Sequence, residues 1–115
     1  MTARIVRFDR ATAPAEVSLP ARVLDGSPVT TLYNYYSDAD DHFYAGVWES
    51  TPGRWEVVYT EEEFCVILSG KVVLTADDGH AETFVAGDAF VIPAGFRGTW
   101  ETVEPVRKLY AIYDR

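Results

Sequence analysis

From Phe43 to the C-terminus, short β-favouring runs alternate with turn residues, and this rhythm constrains the fold more than any other feature. "FYAGVWEST" is followed by the turn "PG" at 52–53 and by "RWEVVYT". "EFCVILS" and "KVVLTA" meet at Gly70, "DDG" (77–79) leads to "AETFV", and "AGD" (86–88) leads to "AFVIP". "AGFRGTWETV" and "PVRKLYAIYD" complete the series. Strands recurring at this spacing, with no helical period between them, specify a sandwich or barrel. The chain carries no internal repeat and no low-complexity segment.

The preceding stretch is organised differently. Pro14, Pro20 and Pro28 punctuate residues 1–28, each removing a backbone donor and fixing φ, so an extended arm with edge strands is expected there. "VTTLYNYYSD" (29–38) reads as a strand and opens a single barrel domain over 29–115. "SDADDH" (37–42) lacks the glycine and distal glutamate of a calcium loop, and it reads as a solvated turn.

At 115 residues, 48% hydrophobic and 24% charged, the chain is sized and composed as one globular domain. A net charge of −8 repels phosphate backbones and anionic lipid, so neither nucleic acid nor membrane is an expected partner. No run approaches the ~20 apolar residues of a membrane helix. The first residues lack the apolar segment of a secretory signal, and a cytoplasmic location is expected. The single cysteine, Cys65, lies in an apolar strand and is expected to be a buried small hydrophobe.

Two motifs narrow the fold. "GDAFVIPAGFRGTWET" places Gly87, then Pro93 after five residues, then Gly95 after one more. "GRWEVVYTEEEFCVILSG" ends with Glu63, six residues and Gly70. Gly70 and Gly87 suit tight corners where φ is positive, and Pro93-Ala94-Gly95 breaks the ladder between sheets. This pair of motifs, over 53–70 and 87–102, resembles the cupin superfamily, and the resemblance covers roughly residues 43–112. "GVWESTPG" and "EPVRKLYAI" add a likeness to a small single-domain subgroup. That subgroup contains ureidoglycine aminohydrolase-like and ethanolamine-utilisation accessory proteins. The resemblance implies an all-β, single-domain cupin β-barrel, a jelly roll of two antiparallel sheets with an extended N-terminal arm. It also implies a metal held by three histidines and the glutamate.

The ligand positions depart from that pattern. The two first-motif histidines fall at Val57 and Tyr59, or at Glu56 and Val58 with the longer spacer; the second-motif histidine falls at Gly98. Only Glu63 remains, and one carboxylate does not hold a divalent transition metal. His42 and His80, the only histidines, belong to loop regions. No metal and no cofactor are therefore expected, and the aminohydrolase reaction does not transfer.

Strand alternation indicates what lines the barrel instead. If Glu63 points inward, so do Cys65 and Ile67; Gly98, Trp100 and Thr102 share the lumen, as do Trp55, Val57 and Tyr59. Gly98 is expected to leave space where a ring would have stood. A buried carboxylate needs a proton or a partner. "VRKLYAIY" supplies one in either phase, with Lys108 and Tyr110 inward or Arg107 and Leu109 inward. The alternative is that Lys108 and Arg107 are both outer-surface charges. Glu61 stands at a rim-like position. Candidate ligand-binding residues are thus Trp55, Tyr59, Glu61, Glu63, Cys65, Gly98, Trp100, Lys108 and Tyr110.

Two functions fit these residues. The first is a metal-free binding module for a small organic molecule. The second is a metal-independent enzyme of isomerase, proton-transfer or lyase type, with Glu63, Tyr59 and Lys108 as catalytic candidates. Exposed edge strands and the aromatic "LYNYY" lead to an expected homodimer, with arm exchange as one route to it.

Overall fold

The fold was determined as a computed structural model, which describes residues 2–9 and 12–115. Residues 2–9 carry no regular structure. Nine strands follow: β1 (Glu16–Ser18), β2 (Val23–Gly26), β3 (Thr30–Ser37), β4 (Phe43–Ser50) and β5 (Gly53–Val58). They continue as β6 (Glu62–Ala76), β7 (Ala81–Val85), β8 (Ala89–Ile92) and β9 (Arg97–Tyr113). The expected all-β jelly roll is what forms. Among the described residues, no helix is long and apolar enough to cross a membrane.

Two long strands organise everything else. The N-terminal half of β6 pairs with β8 and with residues 107–113 of β9, whose other edge holds β4 and then β3 and β1. The C-terminal half of β6 pairs with β7 and with residues 98–104 of β9, whose other edge holds β5 and then β2. Every pairing is antiparallel. β6 and β9 therefore belong to both layers, and the core lies between the layers.

This continuity differs from the sequence expectation of separate strands over 63–69 and 71–76, and likewise over 94–103 and 105–114. Gly70 and Pro105 are not hairpin turns. They mark a shared corner where the β6–β9 register shifts and both strands pass from one layer to the other. Gly70 takes φ +92°, and a Cβ placed there would stand 2.1 Å from the Pro105 carbonyl oxygen. Only a residue without a side chain permits that approach.

Side-chain alternation fills the core. Glu63, Cys65 and Ile67 of β6 are buried, whereas Phe64 and Leu68 at the alternate positions face outward. On β9, Trp100, Thr102, Val106, Lys108 and Tyr110 are buried. Trp48, Trp55 and Trp100 converge from three strands with ring centroids 5.2–6.4 Å apart, near enough for the edge-to-face and stacked contacts that stabilise aromatic clusters. The arm contributes β1 and β2 as outer strands, and Phe8 stacks on Tyr35 at 4.8 Å. The 37–42 segment is a turn as expected, with the Asp38 carboxylate accepting the backbone N–H of His42 and Phe43.

Candidate functional site

Lys108 and Glu63 occupy the middle of the core. Both face inward because each sits at an inward position of its strand, Glu63 on β6 and Lys108 on β9. The ammonium lies 2.9 Å from Glu63 Oε2, and Lys108 is only 3% exposed. Burial is the largest influence and opposes its charge, but the charge and hydrogen bond of Glu63, together with Cys65 and Tyr59, outweigh it and hold the ammonium well above the ordinary lysine range. Its Nζ also stands 4.5 Å from the Trp100 ring centroid and 4.7 Å from that of Trp48. A cation over two indole faces gains from both ring quadrupoles. The remaining neighbour is Cys65 Sγ at 3.6 Å.

Of the two phases open in the sequence, β9 thus adopts the one with Lys108 and Tyr110 inward. Arg107 lies on the other face, half-exposed, 3.2 Å from Glu49.

A cavity of about 590 Å³ opens beside the pair, between the two layers. Trp55, Tyr59, Glu61, Glu63, Trp100, Lys108 and Tyr110 line it, so seven of the nine sequence candidates are brought together. Its outer rim includes Arg22 and Glu56, both exposed. Burial and then Glu63 push the Tyr59 phenol up, notwithstanding Lys108 nearby. Burial raises Tyr110 as well, and its hydroxyl donates to Asn34 Oδ1 at 2.7 Å. Glu61 is held above its usual range by partial burial and by the like charges of Asp114 and Glu63.

Two candidates lie elsewhere. Cys65 is fully buried and outside the cavity lining, and burial pushes its thiol up to about 12, so it stays protonated. Gly98 does not leave the space that its alignment with a histidine suggested. Its backbone is wedged between β5 and β6, opposite Val57 and Ala76, and a Cβ there would lie 1.9 Å from the Thr75 carbonyl oxygen. Close strand approach, not ligand room, explains the glycine.

Trp48, Leu32, Thr30 and Ile112 line the cavity but were not among the candidates. Trp48 was reachable, because it lies directly across from Lys108 on β4 and directly opposed residues share a face. The arm residues Pro20, Ala21 and Arg22 were not, since no local pattern indicates that an arm will fold back over the barrel mouth.

The donor set does not fit a divalent metal. Among the described residues, no three His, Cys, Asp or Glu side chains come together to hold one. The position beside Glu63 is filled by the Lys108 ammonium, which has no lone pair to donate when charged.

Residues 37–110, more than half of the chain, match the EutQ-like cupin domain. The chain belongs to the EutQ-like cupin family. No curated protein matches this cupin. Among solved structures, it is 27% identical to a DUF861-family protein of unknown function from Pseudomonas syringae pv. tomato, with a TM-score of 0.78. The match covers 87% of this cupin but only 44% of that chain, so the cupin spans less than half of that protein's length. A DUF861-family protein from Thermotoga maritima is 39% identical over 56% of this cupin and 73% of that chain, at a TM-score of 0.54. An ethanolamine utilisation protein Q, described as putative, from Salmonella typhimurium shares the fold at 21% identity and a TM-score of 0.67, covering 89% and 97% of the two chains.

Proposed function

We propose that this cupin is a metal-free binding module that takes a small organic molecule into the cavity between its layers. The observation that supports this most is the buried Lys108–Glu63 pair set against three tryptophans in a cavity of about 590 Å³. Cavities of this size and mixed aromatic–polar lining suit small molecules. Fixed polar groups at the floor give orientation, and the rings give contact area.

Catalysis by Glu63 with Tyr59 and Lys108 is supported less well. A general base works best with a pKa near the working pH. Tyr59 and Lys108 are displaced upward, away from neutrality, and act at neutral pH as hydrogen-bond donors. Binding can use such donors directly.

The test is a metabolite library screened by intrinsic tryptophan fluorescence, together with native mass spectrometry of the freshly purified protein. Saturable 1:1 binding that Trp55→Ala weakens at least tenfold supports the module. Absence of any ligand tighter than about 1 mM sinks it. A hit that wild type converts and Glu63→Gln binds without converting establishes an enzyme instead.

A further inference from the structure

The polar groups of the cavity are unevenly matched. Glu63 and Lys108 neutralise one another at 2.9 Å. Three further charged residues line the cavity: Glu56 and Glu61 against Arg22. Arg22 and Glu56 are both exposed, where water and salt screen them. Glu61 is half-buried, makes no hydrogen bond or ion pair among the described residues, and has only carboxylates, Asp114 and Glu63, as its charged influences. It is an anion short of a cation.

The same cavity already holds a cation. Lys108 shows that an ammonium is accommodated over Trp48 and Trp100, at 4.7 and 4.5 Å from their centroids. Trp55, the third ring, lies 6.3 and 6.4 Å from the other two and carries no cation among the described residues. Trp55 and Tyr59 line the cavity together with Glu61. An aromatic surface next to an uncompensated carboxylate selects positive charge over a neutral group of equal shape. The net charge of −8 draws cations toward the mouth as well.

We infer that the ligand is an organic amine, seated with its ammonium against Glu61 and its apolar body on Trp55 and Tyr59. This rests on the binding-module reading and deepens it. Lys108 serves as the built-in counterpart, holding Glu63 so that Glu61 remains as the half-buried carboxylate to pair with the ligand, Glu56 being exposed to water and salt.

Three probes of matched shape and different charge test it: phenethylamine, 2-phenylethanol and 3-phenylpropionate, titrated against tryptophan emission at pH 7 and low salt. Phenethylamine is expected to bind about tenfold more tightly than the alcohol, with the carboxylate weakest. Glu61→Gln, a substitution on the half-exposed rim, should erase the preference, bringing the affinity for the amine down to that for the alcohol in the same variant. Equal binding of amine and alcohol overturns the amine inference and leaves the cavity a binding site. Preference for the carboxylate overturns it too, and assigns charge selection to Arg22. No response to any of the three also overturns it. The library screen then shows independently whether the binding module falls with it.

Discussion

Lys108 is the residue whose removal is most informative. An ion pair this deeply buried offsets a large desolvation penalty, and deleting one partner strands the other charge in the core. Lys108→Met is expected to lower unfolding stability by about 3–5 kcal/mol, read from urea or thermal midpoints. Arg107→Met, which removes a half-exposed pair with Glu49, should cost no more than about 1 kcal/mol. Adding Glu63→Met to Lys108→Met should recover much of the loss, because an apolar pair leaves no stranded charge. A double substitution as unstable as the single one would show that packing, not charge, dominates there. Cys65 gives a simpler readout. Fully buried and with its thiol pushed up to about 12, it should resist iodoacetamide at pH 8 in the native protein and react promptly in denaturant. Rapid native alkylation would contradict the packing.

At the scale of elements, the informative positions are those where backbones touch. Gly98→His would place a histidine at the position the second motif assigns to one, yet its Cβ collides with the Thr75 carbonyl. The substitution should destabilise by about 3 kcal/mol and confer no zinc binding by calorimetry. Gly98 also shows where sequence reasoning runs out. Alternation identified Glu63, Trp100, Lys108 and Tyr110 because a strand's period is independent of its neighbours. The contact between β9 and β6 at Gly98 depends on how two strands are pressed together by a third, and no local pattern encodes that. The division of β6 and β9 into separate strands failed for a similar reason. Gly70 and Pro105 are ordinary turn residues locally, and only their mutual approach makes them a bend in continuous strands. The fold class, the inward faces and seven residues of the cavity lining, out of nine candidates, were legible. The arm over the mouth and the corner were tertiary facts.

The whole molecule has edges and a titration curve. Among the described residues β1 pairs on one side only, with β3, and Val17 within it and Leu19 beside it are 67% and 74% exposed. A homodimer that covers this edge is expected, and light scattering should return twice the chain mass, falling toward the monomer in Leu19→Asp. A monomer at 100-fold the working concentration would remove the expectation. The acid–base behaviour is also collective. Cys65, Tyr59, Tyr110 and Lys108 are all held above their ordinary values of 9.0, 10.0, 10.0 and 10.5. The unfolded chain therefore releases these protons at lower pH than the folded one, so the folded state binds more protons in alkali. Their stabilisation is complete below about pH 9 and declines as pH rises beyond it. Cys65→Ser should move the onset of alkaline unfolding toward 10.

The corner-turning of β6 and β9 also bears on how this chain reaches its native state. Glu62 pairs with Tyr113 and Ala76 with Gly98, so the first and last ladders of one hairpin-like pair close loops of very different length. The layer that holds β4 cannot be completed until the long loop closes, because it sets residues 107–113 of β9 against the start of β6. Chains dominated by such distant pairings fold in milliseconds to seconds, well behind helical proteins of equal size. Sharing two strands also removes any seam along which one layer could open alone. Amide exchange in β4 and in β5, which lie in different layers, should then slow to a common rate set by global unfolding.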